Sequence, residues 1–75
     1  MTPHYACLDM QGHIIGIGST YANARIDAGD PAHYELVQVS VGVANETWKR
    51  IVSLDELSIN ELGLYDFGAD LEGDI

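Results

Sequence analysis

The residues whose types suit metal or acid–base chemistry are few and widely spaced. His4, Cys7 and His13 lie on two neighbouring predicted strands and could approach one another. A structural zinc site takes four nitrogen or sulfur ligands, and the remaining histidine, His33, is far along the chain. Cys7 could also pair with a histidine as nucleophile and base, but no spacing marks such a pair. We therefore predict no metal site, no catalytic residues and no enzymatic activity.

A glycine-rich run and the acidic C-terminal segment resemble ligand-binding motifs only in part. Gly16-Ile17-Gly18-Ser19-Thr20 precedes a predicted helix, but Tyr21 stands where a dinucleotide-binding loop has its third glycine. No lysine follows, as a P-loop requires. The carboxylates of residues 66–74 do not have the spacing of an EF-hand. A tight strand-to-helix turn explains the glycines, and we predict no cofactor.

The net charge of the chain excludes some classes of function. Twelve Asp and Glu residues face only three Lys and Arg, which gives the chain a formal net charge of −9. Nucleic acid phosphates and anionic lipid headgroups repel such a chain. The apolar stretches are also far shorter than the roughly 20 residues of a membrane-spanning helix. We therefore expect no direct binding to nucleic acid and no binding to membranes.

Length and cysteine content bear on domain number and cellular location. The 75 residues fit a single domain, 1–75, although the sequence leaves open whether the acidic segment 64–75 is ordered or frayed. Cys7 is the single cysteine, so no intramolecular disulfide can form. Small secreted domains usually depend on disulfides, and the first residues show no signal-peptide pattern. We therefore expect a cytoplasmic location.

Acidic residues concentrate in the last third of the chain. No Lys or Arg interrupts the set that follows Arg50, which comprises Asp55, Glu56, Glu61, Asp66, Asp70, Glu72 and Asp74. Such runs are usually solvated faces. The functional alternative is a folded surface that imitates the phosphates of nucleic acid, because carboxylates on one helix face recur about every 5–6 Å. Tyr65, Phe67 and Trp48 lie within or near this set, either as interface anchors or as core residues.

We therefore predict an acidic binding protein that occupies a basic, nucleic-acid-binding surface of a partner protein or complex. The predicted partner-binding residues are Asp55, Glu56, Glu61, Tyr65, Asp66, Phe67 and Asp70. In size and charge the chain resembles small acidic phage or mobile-element antagonists of host defence, anti-CRISPR proteins among them. That likeness of class implies mimicry of DNA or RNA, and no motif carries it. The alternative is a homo-oligomeric interaction module, such as a homodimer, because small domains often complete their core by oligomerisation.

The pattern of apolar residues predicts an α+β fold in the order ββαββα, with three to four strands in a small antiparallel sheet and two helices. Segments 4–9 and 13–18 predict a hairpin with Gly12 in its turn. Segment 21–29 predicts a helix that Ser19 or Thr20 caps and Gly29 ends. Alternating valines in segment 34–44 predict a half-buried strand, which favours an antiparallel sheet.

The last two elements are less sharply marked. Segment 45–52 favours a fourth strand, with a helix capped by Asn45 as the alternative. Ser53-Leu54-Asp55-Glu56 has the pattern of a capping box, which predicts a second helix with Gly63 at its C-terminal end.

Overall fold

The computed structural model describes residues 4–67, which form two helices and a five-stranded sheet and so confirm the α+β class. In chain order the elements are β1 His4–Leu8, β2 Ile14–Gly18, α1 Tyr21–Asp27, β3 Glu35–Val39, α2 Val41–Thr47, a 3₁₀ turn Leu54–Glu56, β4 Leu57–Ile59 and β5 Tyr65–Phe67. The strands lie in the order β2-β1-β3-β5-β4. The predicted antiparallel sheet of three to four strands is therefore wrong in size and type, because β3 and β5 pair in parallel.

The hairpin of β1 and β2 is confirmed, and its turn is held by one side chain. Oδ1 of Asp9 accepts hydrogen bonds from the backbone N–H groups of Gln11 and His13, each at 2.9 Å. Gly12 has a φ of 86°, which glycine adopts without strain. The local sequence thus determines this turn by itself.

The first helix is confirmed as well, and it lies directly on the backbone of β2. Oγ1 of Thr20 accepts from the N–H of Asn23, so Thr20 is the N-cap. A Cβ atom at Gly16 would lie 2.6 Å from the backbone nitrogen of Ala28, and one at Gly18 would lie 2.6 Å from the carbonyl carbon of Asn23. The two glycines therefore permit a helix-to-sheet approach that other residues would block.

The strand predicted for segment 34–44 ends at Val39, and its second half is helix α2. Ser40 caps this helix, because its Oγ accepts from the N–H of Val43 at 3.2 Å. Val43 and Ala44 are buried on one side of the helix, whereas Val41 is 39% exposed. The prediction was wrong here because a serine cap and tertiary packing outweighed the strand propensity of alternating valines.

Segment 45–52 does not form the favoured fourth strand. Helix α2 continues to Thr47, and Trp48 is its C-cap. The capping box at Ser53 and Glu56 is confirmed, but it opens only a single 3₁₀ turn rather than a second long helix. The chain then pairs as β4 with β5, and Gly63 has a φ of 81° in the connection between these strands instead of ending a helix. Pairing with β5, the next strand along the chain, decided this segment.

The sheet is strongly curled around its core. Ser53 forms a bridge to His13 at the outer edge of β2, yet β4 begins only four residues later at Leu57. Four residues span at most about 14 Å, whereas β2 and β4 would lie about 19 Å apart in a flat sheet. The core cluster contains Ala6, Leu8, Ile14, Val39, Val43 and Val52.

Candidate protein-binding surface

Three of the predicted partner-binding residues serve the fold instead of standing free on the surface. Tyr65 and Phe67 are partly buried and pack against the core cluster. The Oδ1 of Asp66 accepts a 2.8 Å hydrogen bond from Oγ of Ser40 and another of 2.8 Å from the N–H of Phe67. The carboxylate of Asp66 thus joins β5 to the beginning of α2.

Glu56 belongs to a small ion-pair network. Its Oε1 accepts from Nη2 of Arg50 at 2.7 Å, and its Oε2 accepts from the N–H of Ser53 at 3.1 Å. The hydrogen bond from Arg50 is the main cause that lowers the pKa of Glu56, and the Ser53 N–H contributes. Nε of Arg50 also donates to Glu46 at 2.8 Å. The single positive charge of Arg50 therefore compensates part of the negative charge of both Glu46 and Glu56.

Asp55 and Glu61 are the predicted residues that remain available. Both are exposed, and within residues 4–67 neither carboxylate accepts a hydrogen bond. Asp55 lies in the 3₁₀ turn before β4, and Glu61 lies in the turn after it. We call β4 together with these two residues the acidic edge. The remaining predicted residue, Asp70, lies outside the described residues.

The arginines leave this charge uncompensated. Nε of Arg25 lies 3.1 Å from Oδ1 of Asp30, and its Nη1 donates to the hydroxyl of Tyr34. Arg50 is engaged by Glu46 and Glu56. Both arginines are thus engaged by other side chains, and neither forms an ion pair with Asp55 or Glu61 among the described residues.

Large exposed apolar side chains are a surface feature that the sequence analysis raised only for Trp48. Trp48 is 83% exposed, and Ile51 nearby in the chain is 59% exposed. Ile59 on β4 and Leu62 in the following turn are 55% and 72% exposed. Large apolar side chains at such exposure are typical of contact surfaces when they cluster. The short alternation Leu57-Ser58-Ile59 before Asn60 and Gly63 was the available signal for a hairpin here.

A cavity of about 450 Å³ lies beside the β1–β2 turn, where Met10, Tyr34 and Glu35 contribute to its lining. Asp9 also lines it, but its carboxylate is occupied by the turn, and the hydrogen bond from the N–H of His13 is the main cause that lowers its pKa. Within residues 4–67 no three His, Cys, Asp or Glu side chains are grouped to hold a metal ion. In the same part of the chain no helix has the length and apolarity needed to cross a membrane.

Comparisons with protein-family models, curated proteins and solved structures find no match for this chain. The fold and surface define a small acidic α+β protein whose edge strand β4 is flanked by two exposed carboxylates, Asp55 and Glu61.

Proposed function

We propose that this chain is a non-catalytic, cytoplasmic binding protein that occupies a basic, nucleic-acid-binding surface of a partner protein. The observation that carries the proposal is the acidic edge, where Asp55 and Glu61 stand exposed at the two ends of β4 without a compensating cation in the described residues. The whole chain is also acidic, with a formal net charge of −9. A basic groove that attracts phosphates attracts such a surface for the same reason.

The mechanism is electrostatic steering followed by steric occlusion. Complementary fields raise association rates, and salt screens them over a Debye length of about 8 Å at physiological ionic strength. Carboxylates that contact the partner's Lys and Arg side chains then exclude the nucleic acid from the same groove. Binding should weaken with added salt and in the presence of competing nucleic acid. In this way the protein would act as an inhibitor of a nucleic-acid-binding protein or complex, in the manner of a DNA mimic.

The experiment is a pull-down with the tagged chain from a lysate that contains nucleic-acid-processing complexes. Bound proteins are washed at low and high salt, challenged with competing nucleic acid and identified by mass spectrometry. We expect a basic nucleic-acid-binding protein that both treatments release. Recovery of no such protein, or of one that competing nucleic acid fails to displace, would contradict the proposal.

Paired variants locate the contact. Asp55→Asn with Glu61→Gln removes two charges at the acidic edge, and Asp30→Asn with Glu35→Gln removes two charges elsewhere. Both pairs make the net charge less negative by two, and the second pair also removes the contact between Asp30 and Arg25. We expect the first pair to weaken affinity for the captured partner about tenfold or more, which corresponds to about 1.4 kcal/mol, and the second pair to have a clearly smaller effect. Equal losses would show that only the net charge matters.

A homo-oligomeric interaction module is the second candidate, and the exposure of Trp48 and Ile51 favours it. Aromatic and aliphatic side chains that pack between copies would remove this apolar area from water. Light scattering coupled to size-exclusion chromatography distinguishes the candidates. A dimer that persists in high salt and dissociates in Trp48→Ala supports the module, whereas a monomer at all concentrations excludes it.

A further inference from the structure

The backbone of β4 directs its free hydrogen-bonding groups away from the sheet. In β5, the C=O of Tyr65 accepts from the N–H of Ser40, so the polar groups of Tyr65 point toward β3. Ile59 lies opposite Tyr65 in an antiparallel pair, and therefore directs its own N–H and C=O away from β5. The hydrogen bond from Asn60 N–H to Leu64 C=O at 2.9 Å agrees with this alternation. The C=O of Leu57 points outward for the same reason.

The two edges of the sheet differ in whether their outward backbone groups have hydrogen-bond partners within the described part of the chain. At the outer edge of β2, the N–H of Ile14 donates to Val52 C=O at 2.8 Å, and the N–H of Ile17 donates to Oδ2 of Asp27 at 3.0 Å. At β4, the N–H of Leu57 is bonded to Leu54 C=O within the 3₁₀ turn. For the outward groups of Ile59, no partner occurs among residues 4–67. An edge of this kind is a template for a further strand.

We infer that β4 is a strand-addition site that receives an extended, Lys- or Arg-rich segment of the partner. This inference rests on the proposed function and specifies how binding occurs. The added segment would bond to Ile59 N–H and C=O and to Leu57 C=O, which is the β-augmentation mode of peptide recognition. The exposed side chains of Ile59 and Leu62 offer apolar contact to the segment. Asp55 and Glu61 flank β4 and would lie near the two ends of the added segment.

Charge complementarity selects a basic segment over a second copy of the same chain. Two copies repel each other as wholes, since each carries a net charge of −9. In an antiparallel self-pair centred on Ser58, the N–H of Ile59 in one chain would meet the C=O of Leu57 in the other. That register brings Glu61 of one chain toward Asp55 of the other, at both ends. Like charges in opposing positions destabilise strand pairs. A segment with cations at the same places converts both repulsions into attractions.

Because β4 is short, electrostatic attraction must supply part of the affinity for an added segment. Three residues form the strand, so an added segment gains few backbone hydrogen bonds. Short edge strands are a common way for proteins to avoid indiscriminate pairing. Affinity for an uncharged segment should therefore be low, and affinity for a basic one should fall as salt is added. The edge would thus discriminate by charge as well as by backbone pairing.

The test uses the full chain labelled for NMR and a capped synthetic peptide of alternating Lys and Val, with an alternating Glu and Val peptide as control. In the free protein, the amide of Ile59 should exchange rapidly with solvent, and the Lys-Val peptide should slow this exchange at least about tenfold. The Glu-Val peptide should leave it unchanged. Slow exchange of Ile59 in the free protein, or peptide binding that leaves this amide unaffected, would overturn the inference.

Two variants complete the test. Ile59→Pro removes an N–H that makes no bond within the sheet, a position where edge strands tolerate proline. Ile59→Lys keeps the N–H but adds a charge that repels the peptide, and Ile26→Lys, at an isoleucine that is 66% exposed on α1, is its control. We expect both changes at Ile59 to weaken peptide binding at least about tenfold, and the control to bind nearly as the parent does. Unchanged binding by Ile59→Lys would overturn the inference even if Ile59→Pro failed to fold.

The same variants separate the inference from the proposed function. If the parent chain captures a partner that nucleic acid displaces, and Ile59→Pro captures it equally, the proposed function stands and strand addition is wrong. If the parent captures no basic partner at all, the proposed function itself fails.

Discussion

Oγ of Ser40 donates a 2.8 Å hydrogen bond to Oδ1 of Asp66, and this Oγ also accepts a hydrogen bond from the N–H of Val43. This hydroxyl is therefore both the N-cap of α2 and the link between that helix and strand β5. Ser40 is only 8% exposed, so its bonds are shielded from water. The relationship explains why a strand pattern turns into a helix at this residue.

We expect Ser40→Ala to lower the free energy of unfolding by about 1–2 kcal/mol, because the helix loses its cap and Asp66 loses a donor. Urea denaturation of the variant measures this change. Ser58→Ala, at an exposed serine on β4, is the control and should have little effect. In a double-mutant cycle, Ser40→Ala and Asp66→Ala should be less than additive, since they share one bond. Strict additivity would contradict the link.

The ion pair between Arg50 and Glu56 predicts a dependence of stability on pH. The hydrogen bond from Arg50 and the Ser53 N–H hold the pKa of Glu56 below its ordinary value of 4.5 in the folded protein. The resulting stabilisation is fully present above that ordinary value and is lost as the pH falls through the lower folded-state pKa. Carboxyl-carbon NMR titration measures the pKa, and acid unfolding measures the loss.

Arg50→Gln should return the pKa of Glu56 toward its ordinary value and flatten the acid dependence of stability in this range. Lys49→Gln removes the same charge one residue away and should leave the Glu56 titration nearly unchanged. If the two variants shifted this titration equally, a general charge effect would explain it rather than the specific contact.

Replacement of glycine by alanine should have opposite effects at Gly16, which lies under α1, and at Gly42, which lies in α2. Gly16→Ala places a Cβ 2.6 Å from the Ala28 nitrogen, so the helix must move, and we expect about 2–3 kcal/mol of destabilisation. In Gly42→Ala, in the first turn of α2, the new Cβ meets only Oγ of Ser40 at 3.7 Å, and we expect a gain of about 0.4–1 kcal/mol because the unfolded chain loses conformational freedom. Thermal unfolding of both variants tests this. A Gly16→Ala variant as stable as the parent would refute the close helix-to-sheet contact.

Exposure of Trp48 predicts that this residue contributes little to folding. Trp48→Ala should change the free energy of unfolding by less than about 0.5 kcal/mol, whereas Val52→Ala, in the fully buried core, should cost about 2 kcal/mol. The fluorescence of the single tryptophan should also be readily quenched by acrylamide in the folded protein. Strong protection from quenching in a monomer would mean that Trp48 is covered.

Local signals in the sequence determined the first half of the fold. Asp9 and Gly12 mark the β1–β2 turn and Thr20 marks the start of α1, because the hydrogen bonds of Asp9 and Thr20 reach only a few residues along the chain. The capping box at Ser53 was equally readable. Net charge also follows from composition alone.

Tertiary structure decided the second half of the fold and the residues left free on its surface. The segment after Ser53 becomes β4 because it pairs with β5 across a short turn, whereas the capping-box pattern in the sequence favoured a helix there. Asp66 was indistinguishable from Asp55 and Glu61 in the sequence, since all three belong to one acidic run. Only the approach of Ser40, which is distant in the chain, engages Asp66, whereas Asp55 and Glu61 are exposed. Hydrogen-bond partners distant in the chain thus determine which charges are free to bind.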